Sequence, residues 1–202
     1  MARIADYPVD QLFINRWSPR SFTGEPVPDS VLASAFEAAR WAPSAFNGQP
    51  WRFVIARPGE EAWDDFLSFL LPFNREWAQR ASALIVVLSA QSVERRGERV
   101  ANASHSFDAG AAWSNFAHQA LLDGWHTHGI GGFDREAARR IVQVPPDHAI
   151  EAVVALGRLA PAEALSEELR AREIPNERAP VDSFVFSGRF GHPLLNSKRN
   201  VA

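Results

Sequence analysis

Hydrophobic positions along this chain switch between a period near 3.6 and a period of 2, and the switches delimit its elements. Behind Pro8, the residues Val9, Leu12, Phe13 and Arg16 keep helical spacing and predict a short helix that delivers Arg16 to its C-terminal end. Pro28 and Asp29 open a second helix with the apolar stripe Val31, Leu32, Ala35, Phe36 and Ala39, ended by Pro43. Trp51, Phe53 and Ile55 then alternate with Arg52, Val54 and Ala56 as in a strand, and Arg57-Pro58-Gly59 turns the chain into a helix around Trp63, Phe66, Leu67 and Leu70. Leu71-Pro72-Phe73-Asn74 interrupts before a short helix bearing Trp77. The run from Ala83 to Ser89 reads as a strand buried on both faces and placed inside the sheet.

From Gln91 to Ser104 charges dominate, which predicts an exposed connection with some helical turns. His105 to Trp125 predicts a long helix with apolar groups around much of its circumference, the pattern of a buried helix at the centre of a domain or dimer interface. Gly129-Ile130-Gly131-Gly132 precedes a helix from Asp134, its N-cap, to Val144, and Ala149 to Leu156 reads as another strand. Beyond Gly157 the pattern turns irregular, with a helix expected from Ala162 to Arg172 and an aromatic patch at Phe184-Val185-Phe186. The order of elements predicts an α+β fold, a sheet of about four or five strands flanked by helices. The 202 residues form one domain, 1–202, whose extension from about 161 to 202 has little core of its own and is expected to pack on a second subunit.

Composition narrows the partners. A net charge of −3 supplies no electrostatic reason to expect nucleic acid or an anionic membrane surface. No apolar run is long enough to span a bilayer, so a cytoplasmic protein is the simplest reading. With no cysteine, redox chemistry would need a borrowed cofactor. Seven Trp and fourteen Phe either fill a core or wall an aromatic pocket.

Two stretches carry candidate chemistry. In Arg16-Trp17-Ser18-Pro19-Arg20, an extended backbone points Arg16, Ser18 and Arg20 the same way, two cations and a hydroxyl for one anion; a solvated basic loop would have the same spacing. Between Arg40 and Phe53, Pro43 and Pro50 bracket Ser44, Asn47 and Gly48, making a stiff loop that displays amides and hydroxyls beside Trp41, Phe46 and Trp51. An ordinary helix-to-strand connection would look alike.

Arg16-Trp17-Ser18-Pro19-Arg20, then Pro26-Val27-Pro28, then Ala42-Pro43-Ser44 through Asn47-Gly48-Gln49-Pro50-Trp51 resemble, in order and spacing, the N-terminal signature of the nitroreductase family of FMN enzymes. The resemblance implies a nitroreductase-like fold, a central mostly antiparallel sheet flanked by helices, in a domain-intertwined homodimer with one FMN at each of two intersubunit sites. It implies that Arg16 and Ser18 hold the FMN phosphate and that Arg20 reaches the pyrimidine edge of the flavin, where a fixed guanidinium favours the negative charge gained on reduction. Pro43, Ser44, Ala45, Asn47 and Gln49 would contact the partner's flavin. Asn74 matches a family asparagine at the isoalloxazine, and a backbone N–H of Gly131 or Gly132 would face it. Many members carry a second Ser where Ala45 stands, so the resemblance does not imply that one hydrogen bond here; some carry Lys where Trp77 stands, and that contact does not transfer. Arg178 lies where the family places a basic cluster for the phosphate, here between Glu177 and Ala179.

The implied activity is ping-pong hydride transfer from NADH or NADPH through flavin N5 to a nitroaromatic, quinone or similar small-molecule acceptor, with no side chain in a catalytic role. A flavin oxidase or dehydrogenase of a dedicated metabolite, and a flavin-binding protein without turnover, are the alternatives. Other chemistries fit less well. His126 and His128, with His105 and His118, lack a third ligand at convincing spacing, so no metal is expected. Gly129 to Gly132 fails as a dinucleotide fingerprint because the third glycine would fall at Asp134, and no Gly-x-Ser-x-Gly elbow is present.

Overall fold

The computed structural model describes residues 3–194; positions 195–202 of the expected extension lie outside the described residues. Helix α1 (Gln11–Asn15) starts where the Asp10 carboxylate accepts the Leu12 N–H and stops at Arg16. Helix α2 (Asp29–Arg40) buries Leu32, Ala35 and Ala39, three members of the predicted stripe. Strand β1 (Trp51–Ala56), helices α3 (Trp63–Ser68) and α4 (Pro72–Ala78) and strand β2 (Ala83–Ala90) follow in the predicted order, with Pro72 opening α4.

Residues 91–104 depart from the expected connection with helical turns. They form a hairpin of β3 (Ser92–Arg95) and β4 (Glu98–Ala101), reversed at Arg96 and Gly97, both at positive φ. The charges that argued for a loop decorate a two-stranded ribbon separate from the main sheet. Helix α5 (His105–Leu122) comes next, then strand β5 (His126–Ile130), α6 (Arg135–Ile141), β6 (His148–Gly157) and α7 (Glu167–Arg170). The Asp134 carboxylate caps α6 as expected, accepting the Ala137 N–H at 2.9 Å, but the helix ends before Val144. Of the helix expected over 162–172, a 3-10 turn at Ala162–Ala164 and the single turn of α7 form.

The main sheet has the order β1-β2-β6-β5 with every neighbouring pair antiparallel. Strand β2 is interior and buried throughout, and its alternate residues serve two cores. Leu84, Val86 and Leu88 pack with Phe66, Trp77, Phe133, Leu165 and Leu169; Ala83, Ile85 and Val87 pack with Leu32, Ala35, Phe116 and Trp125 from the α2 and α5 side. Sheet and helices therefore make a three-layer α+β domain. Helix α5 is buried on one side only: Ala109, Ala112, Phe116 and Ala120 join the core shared with α2 and the sheet, whereas Phe107 is 83% exposed and Leu122 is exposed too. No helix among the described residues is long and apolar enough to cross a membrane.

Candidate functional site

After α1 the chain runs extended through Arg16, and Pro19 keeps it so, which turns Arg16, Ser18 and Arg20 to one side. They line a cavity of about 620 Å³ together with Arg178, Arg172 and His128, a volume suited to a small organic ligand. Arg16 Nη1 lies 3.5 Å from Ser18 Oγ. Burial, then the neighbouring Arg178 and Arg3 cations, push the Arg16 guanidinium below its ordinary proton affinity. Burial acts likewise on Arg20, whose Nε is buried without a hydrogen-bond partner. Crowded, partly desolvated cations with unused donors are the chemistry of an anion site.

Two further arginines that line the cavity, and one carboxylate that does not line it but ties its wall, carry no motif in the local sequence. Arg3 Nη1 donates to the Ile14 and Arg16 carbonyls at 2.9 and 2.8 Å, satisfying acceptors left at the end of α1. Arg172 lines the cavity, and Glu173 accepts the backbone N–H groups of Arg20 and Ser21. Arg3 and Arg172 could have been suspected from charge alone; nothing local marks Glu173.

His128, on β5, faces the cavity, with Trp77 buried beneath it at a ring separation of 4.6 Å. Its Nδ1 stands 2.9 Å from the Pro19 carbonyl, which can only accept, so Nδ1 carries the proton. Burial is the main cause that lowers its pKa to about 4; Arg20 and Arg16 add to this, while hydrogen bonds to the Pro19 and Ser18 backbone oppose it. The ring is therefore neutral near pH 7. Of the other histidines weighed as metal ligands, His105 Nδ1 meets Ser89 Oγ at 2.7 Å and His118 lies edge-on to Phe13.

Asn74, Gly131 and Gly132 meet just past the end of β5. Asn74 Nδ2 donates to the Gly132 carbonyl at 2.9 Å, and the Leu71 N–H reaches the same oxygen at 3.2 Å. A Cβ on Gly132 would fall 2.5 Å from Asn74 Nδ2, so a larger residue there would have to displace the Asn74 amide from its hydrogen bond to the Gly132 carbonyl.

Pro43, Ser44, Ala45, Asn47 and Gln49 do not line the arginine cavity. Their loop stands against the start of α5, where the buried Asp108 carboxylate accepts the Ala45 N–H at 3.1 Å and Ser44 Oγ accepts the Gln49 N–H at 3.1 Å. Phe46, Asn47 and Gln49 all adopt left-handed φ, at 54°, 55° and 44°. Each such non-glycine residue costs on the order of 1 kcal/mol. The β3–β4 hairpin props the loop, with Arg95 stacked 3.7 Å from the Phe46 ring centroid.

Residues 14–76, which contain both loops, match the nitroreductase family model. Over nearly its whole length the chain is also similar to a solved structure described as an oxidoreductase containing FMN: 44% identity, 94% of this chain and 96% of that one, TM-score 0.91. The chain belongs to the nitroreductase family. A nitroreductase family protein from Streptococcus pneumoniae, 19% identical over 88% of this chain and 98% of that one, shares the fold at a TM-score of 0.70. An uncharacterized 15.4 kDa protein of Mycolicibacterium smegmatis is 33% identical over 151 residues, 71% of this chain and 99% of its own. The nitroreductase-family model thus covers the stretch that supplies Arg16, Ser18 and Arg20, while the cavity also draws on Arg172 and Arg178 outside it.

Proposed function

We propose that the protein is an FMN-dependent oxidoreductase using NADH or NADPH, and that the arginine-lined cavity takes the FMN phosphate. The observation that carries this reading is the convergence of Arg16, Ser18, Arg20 and Arg178 on one cavity, with desolvated cations and an orphaned Arg20 Nε. That donor set fits a phosphate dianion.

In this reading Arg16, Ser18 and Arg178 hold the phosphate, Arg20 lies at the pyrimidine edge, and Asn74 with Gly131 and Gly132 borders the ring. The chemistry supplied by FMN is hydride acceptance at N5 from NADH or NADPH, followed by electron release to a nitroaromatic, quinone or similar acceptor in a ping-pong sequence. The protein's residues bind, orient and tune. Arg20 offers positive charge where the bound group becomes negative, and neutral His128 adds no competing charge to the wall.

The reading includes a homodimer in which Pro43, Ser44, Ala45, Asn47 and Gln49 act on the partner's cofactor. Support comes from their separation from the cavity of their own chain and from exposed apolar groups around the loop: Trp41, Phe46 at 82% and Phe107 at 83%. Part of the C-terminal extension turns back onto its own domain through Leu165 and Leu169, leaving the exposed Phe184 and Phe190 for a second subunit. Adding FMN to the purified protein and following its absorption, then its bleaching by NADH or NADPH, tests the proposal. Protein that neither shifts the flavin spectrum nor quenches its fluorescence would overturn it.

A further inference from the structure

The backbone N–H groups of Arg20 and Ser21 end on one carboxylate, 153 residues further along the chain for Arg20. Glu173 Oε1 accepts both at 2.8 Å, and Oε2 accepts Arg20 again at 3.0 Å. The segment is tied on its other side as well. The Ala160 N–H donates to the Ser21 carbonyl and the Thr23 N–H to the Arg158 carbonyl, both at 3.0 Å, while Ser21 Oγ donates to the Pro161 carbonyl at 2.7 Å. Leu165 and Leu169, buried in the core, fix the turn that brings Glu173 back.

By charge alone this carboxylate is misplaced, because a negative group beside an anion site repels the ligand. Its lone pairs, however, go to backbone N–H groups. Among the described residues Arg20 forms no ion pair with it within 4.0 Å and Arg20 Nε has no partner, so the carboxylate acts on the guanidinium only as a nearby charge that raises its proton affinity against the effect of burial. We propose that Glu173 is a positioning residue of the anion site: it holds the Arg16–Arg20 segment extended, so that Arg16, Ser18 and Arg20 face one cavity and the Arg20 guanidinium stays available to the ligand. The flavin part of this inference rests on the proposed function; the clamp itself does not.

Position and charge predict opposite signs. Removing a misplaced charge tightens FMN binding, whereas removing a clamp loosens it. The test compares the parent with Glu173→Ala and Glu173→Gln, each checked for folding by circular dichroism, in FMN fluorescence titrations and in amide hydrogen exchange of the 16–23 segment. In Glu173→Ala the Arg20 and Ser21 amides should lose protection and the FMN Kd should rise about tenfold. Glu173→Gln, which keeps one acceptor oxygen, should fall between and also serves if the alanine variant does not fold. Unchanged protection, or FMN binding as tight as the parent's or tighter, overturns the proposal. A parent that binds no FMN removes the flavin reading alone, and the exchange data then decide the clamp.

Discussion

The segment from Arg16 to Arg20 is anchored within its own chain, by Arg3 at one end and Glu173 at the other, and it encloses a cavity. The loop from Pro43 to Gln49 carries three left-handed non-glycine residues and leaves Phe46 largely exposed. One region closes on itself in a single protomer; the other leaves large apolar side chains uncovered. Strain is kept where surrounding contacts over-determine it, here Asp108 and Arg95, and it is worth keeping where a surface must be presented in one fixed shape. The contrast supports the proposal that the two halves of the family signature do different work, one holding a ligand and the other completing a neighbour's site.

The largest expected effect separates the halves by removing the neighbour. Phe107→Asp, on the exposed side of α5, should convert a particle of about twice 22.4 kDa into one of 22.4 kDa in light scattering, and flavin retention should fall with it. A parent already monomeric yet tightly flavin-bound would break the comparison. Next is the finished half: Arg16→Ala should raise the FMN Kd by about 10- to 100-fold, the equivalent of ~1.5–3 kcal/mol for hydrogen bonds to a charged group, without altering assembly.

His128 sharpens the same half through pH. Its folded pKa of about 4 lies below the ordinary 6.5, so between these values the unfolded chain binds a proton that the folded chain does not. Stability should therefore fall as pH drops through 6.5 toward 4, with the His128 contribution to the slope fading out within about one pH unit above 6.5. The loss should approach about 2–3 kcal/mol at the acid end. Urea denaturation at pH 7 and pH 5 should show a smaller difference in His128→Gln than in the parent. The smallest effect belongs to the presented loop: Ser44→Ala should raise the FMN Kd roughly tenfold or less and leave the flavin midpoint potential unchanged. Arg20→Ala should lower that potential by several tens of millivolts, for a differential of about 1–3 kcal/mol over two electrons.

Much of this arrangement was legible in the sequence where a local rule sufficed. Pro19 and two-residue spacing placed Arg16, Ser18 and Arg20 on one side, and the uninterrupted run around Leu84 to Leu88 marked the interior strand. Long-range contacts were not legible. Glu173 acts on backbone N–H groups, which carry no side-chain signature, and it arrives only because β6 returns the chain alongside Ser21. Strand β5 has no clear sequence pattern, because His-Thr-His-Gly-Ile has polar residues on both faces, while Thr127 and Ile130 are in fact buried. The hairpin at 92–101 hid behind its charges, with only Arg96-Gly97 as a turn signal. Helix α5 looked buried all round, but its outer face is exposed in the protomer, and that surplus of apolar surface is itself the argument for a second chain.

The central claim, that the arginine-lined cavity is a phosphate site for FMN, is tested most directly by titrating the parent and Arg16→Ala with both FMN and riboflavin, which differ only in the phosphate. The parent should bind FMN at least about tenfold more tightly than riboflavin, and the variant should lose most of that difference. Equal affinities for the two flavins in the parent, or an FMN preference that survives the loss of Arg16 intact, would contradict it.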